Sequence, residues 1–528
     1  MQSNSNLIKN ILTSYAINQK LIYLVFFTCI FSAIIDAYLL KIISDFVILI
    51  GSNIKNNISN IQIVCIKIFF SGITSGTLRI FLNWLIPETG LSIAAELSNK
   101  TSLNISKVDF QIINKFSKDE LVDTLTTQKT LSNLAIRQSL FIIFNLTTLI
   151  TIFLMAVFLA PKVMIFTVFI ISISYLIIYK SISKTITRYS SNYSVINKKL
   201  LSQISSLIDN LVVYNLFPIK RKFHQDIFDQ HNLLKKTDVN TVFLSNSPRF
   251  AIESIGIVLL AIIPFILISG DKFESHYSIL KSLGVLAYSV QKLLPAAQGL
   301  YSCVTDLRTK ENSLNRFIEL YKLTEKAALK INFKKFVPFD ILQIDLKKAL
   351  IKPNKKSKLT LKADININKG DSIAIIGKTG AGKSTFINAL ICNYPLYKGE
   401  LLVNQKKVIS KSKLFHYYRA SISYVPQISR IINGGIFENI TFKNNRKLID
   451  NDFFEECCNL ASLGSELQDY LESNKDLDFG KNLSGGQIQR IAIARALYQK
   501  SSVLILDEAT SALDRKTQER ILSRIIEF

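Results

Sequence analysis

The sequence predicts two structural regimes on one chain, an α-helical membrane bundle followed by a soluble α/β domain. Long runs rich in Ile, Leu and Phe fill the first three hundred residues, and short apolar strands alternating with Lys, Asn, Asp and Gly fill the last two hundred. The length of 528 residues also exceeds what one hydrophobic core usually serves. The expected boundaries are a membrane domain over 1–325, a basic linker over 326–340 and a soluble domain over 341–528.

A helix crossing about 30 Å of hydrocarbon needs about twenty residues. Stretches 21–50, 61–86, 139–160, 162–180 and 250–269 satisfy this, and a weaker sixth runs over 279–301. The long connections, 87–138 and 181–249, hold most of the Lys and Arg, whereas the short ones carry few (Lys55, Lys162, Lys272). Both termini and the long connections therefore belong in the cytoplasm. Met1 to Lys20 lacks the short apolar core and cleavage site of a signal peptide, so the first span is expected to remain as an anchor.

The formal charge of +25 raises the question of a nucleic-acid partner. The basic residues sit between the apolar spans and around the soluble domain, which is the distribution of cytoplasmic loops, and no nucleic acid is expected. Six cysteines (Cys29, Cys65, Cys303, Cys392, Cys457, Cys458) form no CxxC pair and no regular spacing, and read as buried, reduced thiols. Asp36, Asp45, Lys67 and Arg79 fall in or near the first two spans. An unpaired charge at the bilayer centre costs about 2.5 to 3.5 kcal/mol, so all four are expected to face the bundle interior. Two accounts stand side by side: an internal ion pair of Asp36 with Arg79, or a polar wall where Arg79 meets an anionic substrate group.

In the soluble half, the apolar run DSIAIIG (Asp371 to Gly377) predicts a strand leading into GKTGAGKST, and a helical run follows. This is the phosphate-binding P-loop in its structural context. Its glycines let backbone N–H groups converge on phosphates, and the following helix presents its positive end. Lys383 supplies a point charge to the terminal phosphates, and Ser384 a ligand for Mg²⁺. The candidate nucleotide-binding residues here are Gly377, Lys378, Thr379, Gly380, Ala381, Gly382, Lys383, Ser384 and Thr385.

Four further motifs follow in order: YVPQ ending at Gln427, LSGGQ at Leu483 to Gln487, VLILDE closing on Asp507 and Glu508, and SALD ending at Asp514. With the P-loop, they make this half resemble the ABC transporter family. The preceding spans resemble the exporter-type membrane domain of a half-transporter. The resemblance implies a six-span helical bundle fused to an α/β P-loop NTPase domain of ABC type, binding ATP and Mg²⁺. It implies that Gln427 and Asp507 join Ser384 at the metal, and that Glu508 activates the attacking water. It also implies that Ser484, Gly485, Gly486 and Gln487 meet the nucleotide held by a second subunit, and that Asp514 lies at the dimer contact. Glu508 ends an apolar strand beside the phosphate pocket, where a carboxylate accepts a proton from water, and the LSGGQ glycines open a second anion-binding helix end.

The implied partner is a second half-transporter, a homodimer ahead of a heterodimer. Ser117 to Leu131 and Leu207 to Ile227 resemble the coupling segments that dock membrane helices on the ATPase; otherwise they are amphipathic helices packing on one another. The stretch Leu286 to Leu320, with its LLP in the sixth span, resembles the matching segment of flippases for lipid-linked oligosaccharides and related polysaccharide exporters; otherwise it is an ordinary sixth span. The expected substrate is amphipathic or lipid-linked, and the expected location a bacterial inner membrane. Drug, lipid or peptide export is the alternative.

Two departures stand out. The family's switch histidine follows SALD, whereas His224, His231, His276 and His416 all precede LSGGQ, so a truncated end or weak hydrolysis is expected, with an uncovered sheet edge. The family's adenine-stacking aromatic falls near Ala349 to Pro353, where Lys352 stands.

Overall fold

The computed structural model describes residues 19–51, 58–108, 113, 116, 118–216, 220–269, 276–327, 338–352, 360–394, 396–410, 412–443, 450–463 and 483–527. The chain forms two compact units, one of Met1–Val108 with Ile113–Ala328, the other of Leu329–Phe528 with Asp109–Ile112. Lys55, Ser117, Lys272, Pro353 and most of the expected linker lie outside the described residues.

The first unit is helical. Its helices are α1 (Gln19–Gly51), α2 (Ile58–Ser106), α3 (Lys118–Leu159), α4 (Pro161–Asp209), the short α5 (Leu211–Leu216), α6 (Lys220–Ser269), α7 (His276–Thr309) and α8 (Glu311–Ala327). Several run 42 to 50 residues, far beyond the twenty a bilayer requires. Pro161 occupies the first turn of α4, where its missing N–H leaves no hydrogen bond unmade, so two long helices abut with only Ala160 between them.

Four stretches are long and apolar enough to cross a membrane: Gln19–Gly51, Ile58–Ser106, Glu120–Leu159 and Pro161–Ile178. Much of the fifth expected span, in α6, has side chains outside the described set, and the sixth falls in α7. The four stretches found correspond to the first four expected spans. In α7, Lys281, Gln291 and Lys292 interrupt the apolar run.

Two apolar cores hold this unit together. Leu40, Ile152, Ala156, Met164, Leu259, Val285 and Leu286 join α1, α3, α4, α6 and α7, and Val25, Leu82, Ile86, Leu97, Leu140 and Phe317 join α1, α2, α3 and α8. Large apolar side chains on the outside, Phe27, Phe69, Phe70, Trp84 and Phe158 among them, are exposed as a lipid-facing surface requires. Of the four charged residues expected inside, Asp36 and Arg79 pair at 2.6 Å, while Asp45 and Lys67 are exposed. Asp45 lies within two turns of the end of α1 and Lys67 within three of the start of α2. A lysine stem lets its ammonium lean toward the membrane surface, and Asp45 sits toward the helix end, where a charge costs less than at the centre.

The second unit begins with β1 (Gln343–Ile351), flanked antiparallel by β2 (Leu361–Asn368) and β3 (Leu396–Val403), with β4 (Lys406–Lys407) beyond β3. A separate parallel pair joins β5 (Ile422–Val425) to β6 (Val503–Leu506). The helices are α9 (Lys383–Leu390), α10 (Lys413–Ala420), α11 (Ile436–Thr441), α12 (Asn451–Leu460), α13 (Gly485–Tyr498) and α14 (Arg515–Glu527).

β6 divides two cores by its period-two alternation. Val503 and Ile505 pack with Ile344, Leu401 and Tyr418, while Leu504 and Leu506 pack with Ile491, Ile493 and Phe437. The expected strand Asp371–Gly377 does not form; these residues are exposed and in no ladder, with Ile376 93% exposed. A β-propensity pattern needs a neighbouring strand to become a strand, and among the described residues β6 pairs only with β5. The thiols are free: Cys29, Cys303, Cys457 and Cys458 are buried as expected, Cys392 is half-buried, and Cys65 is exposed because it points outward from α2.

Candidate functional site

Three groups of motif residues are built separately. The first is the loop before α9. Gly380 (φ 82°) and Gly382 (φ 97°) take left-handed conformations, and a Cβ on Gly382 would come within 2.7 Å of Leu361 Cδ1. Only glycine fits there. Lys383 opens α9 and donates from Nζ to Gly377 O at 2.7 Å, folding its ammonium over the loop. The first N–H groups of α9 have no carbonyl one turn back, so they remain available to an anion. Gly377, Lys378, Thr379, Gly380, Ala381 and Ser384 are exposed, and Gly382, Lys383 and Thr385 half-buried, leaving the cradle open.

The second group lies where the parallel pair ends. Because β5 and β6 run in the same direction, Gln427 and Asp507 emerge side by side, the Asp507 amide donating to Val425 O at 2.9 Å. The crevice beyond the carboxyl ends of parallel strands is where such sheets bind ligands. Gln427 Nε2 donates to Glu508 Oε2 at 2.5 Å, and Tyr424 Oη donates to Asp507 Oδ2 at 3.1 Å. Burial, and then the Asp507 charge and hydrogen bond, push the Tyr424 phenol up to about 12, so it remains a donor. Asp507 is buried, and Glu508 holds a left-handed φ of 50°.

The third group is the start of α13. Ser484 accepts from the Gln487 amide at 3.2 Å while Gln487 Oε1 accepts from the Ser484 amide at 2.8 Å, a reciprocal cap. A Cβ on Gly486 would crowd Leu513 Cδ2 and Ala512 O at 3.1 and 3.2 Å, so LSGGQ packs tightly on SALD. Gln489 completes this block, accepting from the Ala512 amide at 2.9 Å and donating to Ser511 Oγ at 3.2 Å. Asp514 accepts from the Thr517 amide at 3.0 Å, a bond that holds its carboxyl below the ordinary range.

Gln427, Asp507 and Glu508 are thus brought together, as are LSGGQ and Asp514. Among the described residues, no hydrogen bond joins the P-loop to the Gln427 cluster. Tyr424 and Gln489 escaped the sequence reading, although a lone glutamine inside the apolar run IQRIAIARAL was a usable signal.

The donor set suits the expected ligands. Among the described residues, no group of three or more His, Cys, Asp or Glu side chains is gathered for a metal. Ser384, the Gln427 amide oxygen and Asp507 are oxygen donors of the kind Mg²⁺ takes.

Residues 361–511 match the family described as ABC transporter. The soluble unit is an ABC transporter domain.

A Rickettsia conorii protein named as an export ATP-binding/permease protein is 31% identical over 284 residues, covering 52% of this chain and 47% of that protein. An ATP-dependent lipid A-core flippase of Colwellia psychrerythraea is 35% identical over 158 residues, covering 30% of this chain and 27% of its own. The chain spans about half the length of several of the curated relatives it matches. A bacterial Atm1-family ABC exporter solved with ATP bound superposes with a TM-score of 0.78 at 17% identity, covering 97% of this chain and 90% of that one. The chain therefore has the ABC exporter fold, a helical membrane domain fused to the ABC domain, and is a multi-pass membrane protein. At the expected adenine-stacking position, Lys352 lies 4.9 Å from the ring centroid of Tyr397 on β3, so a cation covers an aromatic ring there.

Proposed function

We propose that this chain is one half of an ATP-driven exporter of the bacterial inner membrane, moving an amphipathic or lipid-linked substrate outward from the cytoplasmic leaflet. The observation that carries this is the meeting of Gln427, Asp507 and Glu508 at the ends of two parallel strands, in a chain that also carries membrane-crossing helices. The likeness to proteins named for export and lipid A flipping supports the direction and the substrate class. A lipid-linked oligosaccharide is one such substrate.

In this reading the P-loop amides and Lys383 hold the phosphates of ATP. Ser384, Gln427 and Asp507 would hold Mg²⁺, which supplies charge neutralisation at the phosphates. Glu508 accepts the proton of the attacking water as general base, and its bond to Gln427 links that carboxylate to the segment leading into α11. Ser484 to Gln487 and Asp514 belong to a composite site closed by a second half-transporter, either a second copy or a related chain. Ser117 to Leu131 and Leu207 to Ile227 serve as the coupling segments.

ATP hydrolysis by the full chain in lipid nanodiscs tests this. Glu508→Gln should lower turnover by about a hundredfold or more while ATP binding persists, and Lys383→Ala should remove binding. Turnover unaffected by Glu508→Gln would exclude the assignment. A second reading, a subunit that binds ATP and relies on a partner for hydrolysis, is favoured by the unpaired segment Asp371–Gly377. It predicts ATP binding without turnover until the partner is added.

A further inference from the structure

Inside the helical unit, three helices converge on one carboxylate. Asp36 on α1 is 1% exposed and accepts from Arg79 Nη2 at 2.6 Å and Ser75 Oγ at 2.7 Å, both on α2, and from Lys292 Nζ on α7 at 3.1 Å. One anion therefore faces two cations, leaving an excess positive charge. At 1.5 Å per residue, Asp36 and Lys292 each lie roughly 23 Å from the helix ends at Gly51 and His276, within the expected spans 21–50 and 279–301. A pair made only for structure would need one cation, and a surplus charge at such depth is costly.

The surroundings are unfinished in the same sense. Arg79 Nε, Tyr288 Oη, Ser289 Oγ and Ser32 Oγ are buried without a hydrogen-bond partner. Tyr288 and Ser289 lie one turn before Lys292, and Ser32 one turn before Asp36. The carboxylate is sealed behind the cations, whereas the Arg79 side chain is 36% exposed and that of Lys292 16%. Gly72 and Gly76 share the Arg79 face of α2 and border open space, and Ile80, next to Arg79, and Trp84, one turn beyond Ile80, expose apolar surface.

We propose that Arg79 and Lys292 bind the anionic group, phosphate or carboxylate, of an amphiphilic substrate, with Asp36 holding both cations in place. The inference rests on the exporter reading and narrows its substrate to anionic amphiphiles. A guanidinium fork suits a two-oxygen anion, an ammonium beside it adds charge, and the Tyr288, Ser289 and Ser32 hydroxyls are free to donate. The apolar surface beside Arg79 and the depth of the site favour an amphiphile over a free ion.

Binding of dodecyl phosphate, dodecanoate, inorganic phosphate and dodecyltrimethylammonium to the full chain in phosphatidylcholine nanodiscs is the test. A dodecyl anion should saturate the chain and outcompete the cationic amphiphile at least tenfold. Lys292→Gln should weaken it at least tenfold, and Lys292→Arg should restore it. Equal binding of the cationic amphiphile, or unchanged anion affinity in a folded Lys292→Gln chain, would overturn the proposal; so would inorganic phosphate binding as tightly as dodecyl phosphate. The comparison of anion with cation in the unaltered chain decides the matter even if a variant fails to fold. Selective anion binding without ATP turnover would keep this site and remove the exporter reading, whereas ATP-driven transport indifferent to charge would do the reverse.

Discussion

Glu508 combines the general-base assignment with a backbone angle that a side chain resists. A left-handed φ costs a residue bearing a Cβ about 1 to 2 kcal/mol, and strain of this kind gathers at functional sites. Glu508→Gly should therefore stabilise the soluble unit by about 1 kcal/mol in chemical denaturation while abolishing hydrolysis. A stability loss would mean the Gln427 contact outweighs the strain. The motif residues could be read from the sequence because each motif is contiguous. Lys292 could not, because its partner lies 256 positions away and no local pattern announces the pair. The same limit hid Tyr424, whose bond to Asp507 spans 83 positions.

Helix α13 depends on its cap. Ser484→Ala removes the bond that Oγ accepts from the Gln487 amide, leaving the one from its own amide to Gln487 Oε1, and should lower stability by about 1 kcal/mol, measured as a shift in the urea midpoint of the soluble unit. On α12, burial pushes the Cys457 and Cys458 thiols from 9.0 to about 12. The folded state then keeps protons that the unfolded chain releases, so stability is full below pH 9 and falls as pH rises toward 12. A Cys457→Ala, Cys458→Ala chain should lose that alkaline slope. The segment Asp371–Gly377 shows where element-level reading failed. Its isoleucines carry strand propensity, but pairing is a property of a neighbour elsewhere in the chain. Being exposed and without a ladder, it should be cut by trypsin after Lys369 and Lys378 in nucleotide-free protein, and ATP should slow the cut at Lys378. Resistance without ATP would show that the segment is covered.

At the scale of the molecule, the division into helical and soluble regimes was legible because composition changes abruptly along the chain. The number of spans was less so, since α7 mixes apolar positions with Lys281 and Lys292 and a hydropathy pattern cannot say which face a lysine occupies. Much of the net charge of +25 lies on loops that water screens, but the surplus charge beside Asp36 sits where the membrane potential acts. A full elementary charge crossing a 100 mV potential changes energy by about 2.3 kcal/mol. If the site is reoriented during transport, a bound monoanion cancels its charge and the loaded step becomes electrically silent. The return of the empty site then carries current, and an inside-negative potential draws it back toward the cytoplasm. Capacitive recordings on supported membranes should show this charge movement in the unaltered chain and its loss in Lys292→Gln, making the resting voltage of the cell a second source of work for resetting the transporter.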